Sequence, residues 1–508
     1  MADPTGPALD LADRPVLVAG AGTAGISAAG FLAEVGAQVG IADQRFADPA
    51  AAAEAGAAGL TPVAIRTLLD DPAWTERYSL VVVSPGFAPD NELVVAALAA
   101  GLPVWGEVEL AWHVDRSGLL GAPRTWLVVT GTNGKTTTTS MLADIVAASG
   151  RSGAACGNIG LPVLDAMRMQ PRVEVLCAEL SSFQLHWAPS VRPDAGVVLN
   201  VADDHLDWHG SFAAYAAAKA GALTGTVGVV GLDDEVASGL AVTGRRVGFT
   251  LDEPADGELG VVDGMLTDRA FGAGMLLPAD AIQPAGPSGR MDALAAAALA
   301  LAVGVPREAV AAALSDFRPA GHRGEVVLVH DGIAFVDDSK ATNPHAAQAA
   351  VAAHERVVLI AGGLLKGAPV DGLITAVRDR LAGVVAIGRD RDIILEAIAR
   401  HAPEVPAVTV FTGDDGRVNV NRAGSAPHAS AAPRSAAPGT TRDEVAAVAV
   451  MDRAVDVAWE LAQTADRRPD AVLLAPAAAS LDMFAGYGRR GDAFAAASRR
   501  VADAGADR

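Results

Sequence analysis

Short apolar, β-branched runs alternate along most of this chain with longer Ala-rich amphipathic stretches, and the runs end in glycine or polar turns. That alternation predicts strand and helix in turn, the pattern of parallel α/β sheets. Val16-Leu-Val-Ala19 predicts a strand running into Gly20-Ala-Gly-Thr-Ala-Gly25, with a helix to residue 35. Ile41-Ala-Asp43 closes a second strand with an acid, and Leu80-Val-Val-Val-Ser-Pro-Gly86 is a third that ends in a tight turn. Residues 126–130 form a buried strand, Gly131-Thr-Asn-Gly134 turns the backbone, and Lys135-Thr136 opens a helix ending at Gly150. Further strands are predicted within 173–185 and at 195–200, short β segments over 225–285, and a helix over 292–303. After Arg318-Pro-Ala-Gly-His-Arg-Gly324, strands at 333–336, 357–360, 384–388 and 471–475 predict another parallel sheet. Residues 413–442 are rich in Ala, Ser, Pro and Gly, which predicts a flexible surface insertion.

At 508 residues the chain should hold three domains, which we divide as 1–117, 118–319 and 320–508. Aromatic residues are only 4% of the chain against 51% hydrophobic, so the cores must be built from Ala, Val and Leu. A net charge of -21 argues against nucleic acid as a partner, because phosphate-backbone binding needs a basic face. Two cysteines, Cys156 and Cys177, make no disulfide framework, and a cytoplasmic location is expected. The opening MADPTGPALDLADRP has neither a basic nor an apolar leader region, and no stretch reads as a membrane span, so no membrane partner is expected.

The loop at 131–136 carries the sharpest chemistry. Backbone N–H groups of the turn Gly131, Thr132, Asn133 and Gly134, together with the helix dipole, suit a phosphate. Lys135 adds charge, Thr136 offers a hydroxyl to Mg²⁺, and Thr137 follows in the first turn. The bland alternative is an ordinary β–α turn; the pattern favours a nucleoside triphosphate. The N-terminal G-x-G-x-x-G with Asp43 is weaker: it fits NAD, FAD, a UDP-sugar, or a turn that only packs helix on strand. Glu179, Ser181, Gln184, Asn200 and His205 follow strand ends, where open α/β sheets bind ligands, and the oxygens of Glu179 suit Mg²⁺. Lys219 lies on an Ala-rich helix capped by Ser211, and by pattern alone it is a solvent-facing lysine.

Taken together, GTNGKT, ELSSFQ, NVADDH, DDSKATN and PAAASLDMF resemble the motifs of the Mur ligases of peptidoglycan synthesis, across nearly the whole chain. The resemblance implies an α/β protein of three domains: Rossmann-like, then P-loop ATPase-like, then Rossmann-like again. It implies an ATP-dependent ligase that joins D-glutamate to UDP-N-acetylmuramoyl-L-alanine through an acyl phosphate, with ATP and Mg²⁺, as a cytoplasmic monomer. Addition of L-alanine to UDP-N-acetylmuramate is the alternative within the family. By resemblance, Thr23, Asp43, Ser84, Pro85 and Gly86 hold the nucleotide sugar, and Asn158, Ser181, Gln184 and Asn200 its muramoyl-alanine end. Gly131 through Thr137, Asp292, Arg323 and Asp338 bind ATP, and Lys340 joins Lys135 and Arg323 in catalysis. Thr136, Glu179, His205 and a carbamylated Lys219 hold magnesium, and Thr342, Lys366, Ser480, Leu481 and Tyr487 form the D-glutamate pocket. Pro287-Ser-Gly-Arg-Met and Asp292 stand where the family usually has a His-Asn pair and Asn. Outside the family, an NAD-dependent oxidoreductase and a nucleotide-dependent regulatory protein without ligase activity stay open.

Overall fold

The computed structural model describes residues 9–57, 59–319, 321–413, 416–422 and 441–506. Three sheets carry the described chain. Pro15–Ala19, Gln38–Asp43, Thr61–Ala64, Leu80–Val83 and Val104–Gly106 (β1–β5) pair in parallel in the order β3-β2-β1-β4-β5. The second sheet begins with Thr125–Thr130, Gly153–Gly157, Val175–Glu179, Ala195–Val198 and Val227–Gly231 (β6–β10). It continues with Arg245–Phe249, Glu258–Val262, Met265–Asp268 and Gly274–Pro278 (β11–β14), in the order β14-β13-β12-β11-β10-β9-β6-β8-β7. The third comprises Glu325–His330, Ile333–Asp337, Val357–Gly362, Leu381–Ile387, Ala407–Thr412, Val418–Arg422 and Ala471–Leu474 (β15–β21), in the order β15-β16-β21-β17-β18-β19-β20.

The central strands read as unbroken apolar runs because apolar clusters cover both faces of the sheets. Alternate residues of β6 enter different cores: Trp126 and Val128 join one cluster, Leu127 and Val129 another. β17 does the same, with Leu359 on one side and Val358 and Ile360 on the other. The cluster around Trp126 also contains Val16, Val18, Phe31 and Leu32, so the first two sheets share a core. Accordingly Met1–Ile282 and Gly289–Phe317 form one compact unit, and Gln283–Ser288 with Arg318–Arg508 a second. Buried Asp115 fastens the connection within the first unit. It accepts from the Arg124 backbone N–H (3.0 Å), the Arg124 guanidinium (2.9 Å), the Trp126 indole (3.0 Å) and Arg116 (2.6 Å). Such a pair repays its desolvation only when its remaining hydrogen-bonding groups are satisfied, and here Arg124 also donates to the carbonyls of Val173 and Met167.

One expectation is corrected. Residues 418–422 are not part of a flexible insertion: they form β20, antiparallel to β19, with Val410 opposite Val420. Val418 and Val420 pack on the core while Asn419 and Asn421 alternate with them, a period of two that the segment's average composition hides. Residues 423–440 lie outside the described residues, and a helix, Thr441–Thr464, begins inside the same predicted insertion. The helix expected at 292 starts at Pro287, a residue suited to a first helical turn, and runs to Ala302. No described helix is long and apolar enough to cross a membrane.

Glu107 opens the helix Glu107–Ser117 and is almost fully buried; its Oε1 accepts from Leu164 N at 2.8 Å, while Oε2 is buried without a hydrogen bond. Burial pushes its carboxyl up to about 7, against the pull of the backbone donors. A folded-state pKa raised above the unfolded value means the native state binds more protons, so this group subtracts stability as pH rises from about 4.5 to about 7. Glu107→Gln should therefore lose less Tm between pH 5 and pH 8 than the wild type, as read by parallel thermal melts. Equal losses would show that Glu107 does not titrate there.

Candidate active site

β6 lies between β8 and β9, so three strand ends open toward one place. After β6 the backbone turns through Gly131-Thr-Asn-Gly134 into the helix Lys135–Ala148, with left-handed Gly134 (φ 82°) as its N-cap. A Cβ on Gly134 would collide with the Asp292 carboxylate, so the glycine is needed for both conformation and space. Asp292 is itself engaged, accepting from Thr138 Oγ1 at 3.1 Å, which ties the helix Pro287–Ala302 to the loop's helix. Asn200, just past β9, clamps the loop: its Oδ1 accepts from the N–H groups of Thr132 (3.1 Å) and Asn133 (2.9 Å), and its Nδ2 donates to Asn133 O. The ammonium of Lys135 folds back onto the carbonyls of Gly131 (2.9 Å) and Thr132 (2.8 Å). Thr136 is partly exposed in the first turn and Thr137 is buried.

The carbonyl of Gly131 also accepts from Lys219 Nζ at 2.7 Å. Lys219 is only 2% exposed, contrary to its solvent-facing helical pattern, and its Nζ sits 4.6 Å from the centre of the Tyr215 ring. Burial, and then the charge of Lys135, hold its pKa well below the usual lysine range, which favours a neutral, nucleophilic amine. Glu179 ends β8 at 1% exposure. Its Oε1 accepts from Asn158 Nδ2 at 2.8 Å, and its Oε2 is buried without a hydrogen bond. A buried carboxylate oxygen left without a donor suits a cation, and its hard oxygen fits Mg²⁺. His205 is a left-handed residue (φ 52°) with its ring edge-on to Phe183 at 4.7 Å and Nε2 3.5 Å from Asp204. Lys135 and Lys219 thus share the Gly131 carbonyl, and the charge of Glu179 acts on Lys219. Ser181 and Gln184 are instead occupied with each other: they form the capping box of helix Ser182–His186, Ser181 Oγ accepting at 3.2 Å and Gln184 Oε1 at 2.9 Å.

In the first sheet, Asp43 braces the glycine loop by accepting from Ala21 N (2.6 Å) and Arg45 N (3.0 Å). Burial alone would raise its pKa, yet those donors and the Arg45 charge hold it below the usual range. Ser84 Oγ donates to Gly20 O at 3.2 Å, joining the turn Ser84-Pro85-Gly86 to the same loop. Thr23 begins the helix Thr23–Glu34 and lines a groove of about 510 Å³ with Gly22, Ile26, Ser27 and Asp165.

In the second unit, three strand ends are bound together. Leu364 and Ala479 pair across the turns after β17 and β21; Asp390 accepts from Leu365 N (2.7 Å), and Asp482 from Arg389 N (2.8 Å). Ser480 follows that bridge, buried, and Lys366 lies two residues past Leu364, exposed and left-handed (φ 53°). Leu481 and Tyr487 are exposed, and Lys340 Nζ stands 4.8 Å from the Tyr487 ring. Thr342 N donates to Lys340 O. Burial and its neighbour Asp337 push Asp338 up to about 7, against the pull of Arg323. Motif reading missed the supports beneath these groups. Asp337 accepts from His322 (2.7 Å) and Ser339 N (2.9 Å), and fully buried Arg490 donates to Ser339 and to Ala478 O. In Gly488-Arg-Arg-Gly491 nothing distinguishes Arg490 from exposed Arg489 except helical phase.

Gly134→Ala should weaken ATP binding by at least about tenfold, because the side chain meets Asp292. Gly150→Ala has the same backbone sign (φ 80°) but open space around its Cβ, and should cost about 1 kcal/mol of stability while leaving ATP affinity unchanged. Calorimetric titration with ATP separates the two; equal affinities would contradict the packing argument.

Comparison with known proteins gives a consistent pattern. Residues 129–250 match the Mur ligase middle domain, and residues 14–106 the Mur ligase MurD-like N-terminal domain. The chain is 55% identical over 97% of its length to a UDP-N-acetylmuramoylalanine–D-glutamate ligase of Rhodococcus jostii, covering 96% of that protein. It is 54% identical over 95% of its length to the protein of the same name from Mycolicibacterium smegmatis, covering 96% of it. Among solved structures, the UDP-N-acetylmuramate-alanine ligase of Thermotoga maritima superposes with a TM-score of 0.52 at 16% identity, over 96% of this chain and 99% of that one. A likeness at that identity speaks for the fold alone.

Proposed function

The chain belongs to the Mur ligase family, and on that premise we propose that it joins D-glutamate to UDP-N-acetylmuramoyl-L-alanine at the expense of ATP, as its relatives are named for. The full-length similarity to D-glutamate ligases carries the choice of amino acid over the L-alanine alternative. The chemistry rests on one observation: a phosphate loop whose Gly131 carbonyl is shared by Lys135 and a buried Lys219, beside the unpaired oxygen of Glu179. Segments 1–117, 118–319 and 320–508 would serve nucleotide sugar, ATP and amino acid in turn, in a cytoplasmic monomer.

An unactivated carboxylate resists an amine because oxide is a poor leaving group. In the proposed reaction the alanyl carboxylate takes the γ-phosphoryl group of ATP and ADP leaves; the D-glutamate amine then attacks the acyl phosphate, forming the amide bond as phosphate and a proton are released. Lys135 offsets charge on the transferring group, and Arg323 and Lys340 are proposed to add to it. Thr136, Glu179, His205 and carbamylated Lys219 would hold Mg²⁺, which when bound neutralises phosphate charge. Asn158 fixes the rotamer of Glu179, and Asn200 fixes the loop backbone. The capping box gives Ser181 and Gln184 the further task of holding helix Ser182–His186 in place. Thr342, Lys366, Ser480, Leu481 and Tyr487 remain the proposed D-glutamate pocket, with the Lys366 ammonium meeting the side-chain carboxylate.

Phosphate release with UDP-muramoyl-alanine and a panel of amino acids tests the reading; D-glutamate should be strongly preferred, and release with UDP-muramate plus L-alanine instead would overturn it. Lys366→Ala should raise the KM for glutamate by about tenfold or more and leave that for ATP alone. An equal rise in both would remove Lys366 from the pocket. Lys219→Ala should lose nearly all turnover while still binding ATP, and short carboxylic acids should restore part of it by replacing the carbamate. Lys219→Arg should resist such rescue, since positive charge fills the space. Wild-type turnover by Lys219→Ala would end the carbamate proposal.

A further inference from the structure

Trp187 joins the element carrying Glu179 to the turn assigned to the nucleotide sugar. Glu179 ends β8, Ser181 caps helix Ser182–His186, and Trp187 is the next residue. Its indole is buried in the core of the first sheet, among Leu17, Ala19, Val81 and Val83. Nε1 donates to Phe87 O at 3.0 Å, and the Trp187 carbonyl accepts from Gly106 N at 2.8 Å. Phe87 closes the Ser84-Pro85-Gly86 turn, its N–H donating to Ser84 O at 3.1 Å. Its ring borders the glycine loop closely enough that a Cβ on Gly20 would stand 3.1 Å from it. At the end of β5, Gly106 has no space for a side chain, because a Cβ there would stand 2.9 Å from that of Trp187.

A buried indole N–H needs an acceptor, and here the acceptor is the carbonyl of the residue that closes the Ser84-Pro85-Gly86 turn, so one hydrogen bond ties that turn to the segment following Glu179. We infer that Trp187 is a positioning residue for the nucleotide-sugar site, fixing the Ser84–Phe87 turn relative to Glu179 through its indole N–H. The inference rests on the proposed assignment of that turn to the uridine nucleotide. Removing the donor takes from the half-buried Phe87 carbonyl its indole partner, and the turn is free to shift to recover one.

Trp187→Phe keeps an aromatic ring and removes the donor. Titration with UDP should show its affinity lowered roughly tenfold, and in the full reaction the KM for UDP-muramoyl-alanine should rise alike, with the KM values for ATP and D-glutamate within about twofold of wild type. Gly106→Ala, which displaces the Trp187 main chain instead, should give the same selective loss, and the double variant should lose less than the two losses combined. A lower Tm with unchanged UDP affinity would make Trp187 a core filler and overturn the inference, as would an equal rise of all three KM values. Phosphate release by the wild type decides the ligase reading separately: UDP bound without turnover sinks that reading, while the UDP affinities of the variants still decide the role of Trp187.

Discussion

Burying an amine and a carboxylate at the end of one sheet without a full set of partners is the constraint on which the central part of this molecule depends. Lys219 has the Gly131 carbonyl and Glu179 has the Asn158 amide, but one oxygen of Glu179 is left over. Burial of an uncompensated charge costs several kcal/mol, so such groups persist where a ligand or a modification completes them. The sheet order makes the arrangement possible. With β6 between β8 and β9, the phosphate loop, Glu179 and Asn200 all emerge at the same edge, and Asn200 stiffens the loop from the neighbouring strand.

The second constraint is the core shared by the first two sheets. Trp126 and Val128 pack with Val16 and Val18, and Trp187 crosses into the first sheet's other face. The two loops proposed to bind phosphate and nucleotide sugar are built on one continuous core, which fixes their spacing and would lower the ordering cost of bringing two reactants together. The Asp115–Arg124 network ties the helix Glu107–Ser117 to the start of β6, since its donors come from both sides of the connection.

Much of this was legible in the sequence. Unbroken apolar runs ending in glycine located the main strands, because a strand covered on both faces has no polar side to disguise it. The loop at 131–136 and Glu179 announced themselves by spacing. Lys219 did not: its helical neighbours are alanines, so no apolar face shows which way the side chain points. Ser181 and Gln184 matched a substrate motif, yet their three-residue spacing is equally the signature of a capping box. Glu107 and Arg490 look like surface charges in the sequence, and only tertiary contacts reveal that they are buried. β20 escaped because its V-N-V-N alternation adjoins a Ser- and Pro-rich stretch that dominated the average.

Carboxylate activation by phosphoryl transfer is the claim that unites these features, and it leaves an isotopic trace. UDP-muramoyl-alanine labelled with ¹⁸O in the alanyl carboxylate should be turned over with ATP and D-glutamate, and the released phosphate examined by mass spectrometry. An acyl phosphate requires one carboxylate oxygen to leave with each phosphate, so labelled phosphate is the predicted product. Phosphate carrying no label, formed alongside amide, would contradict it.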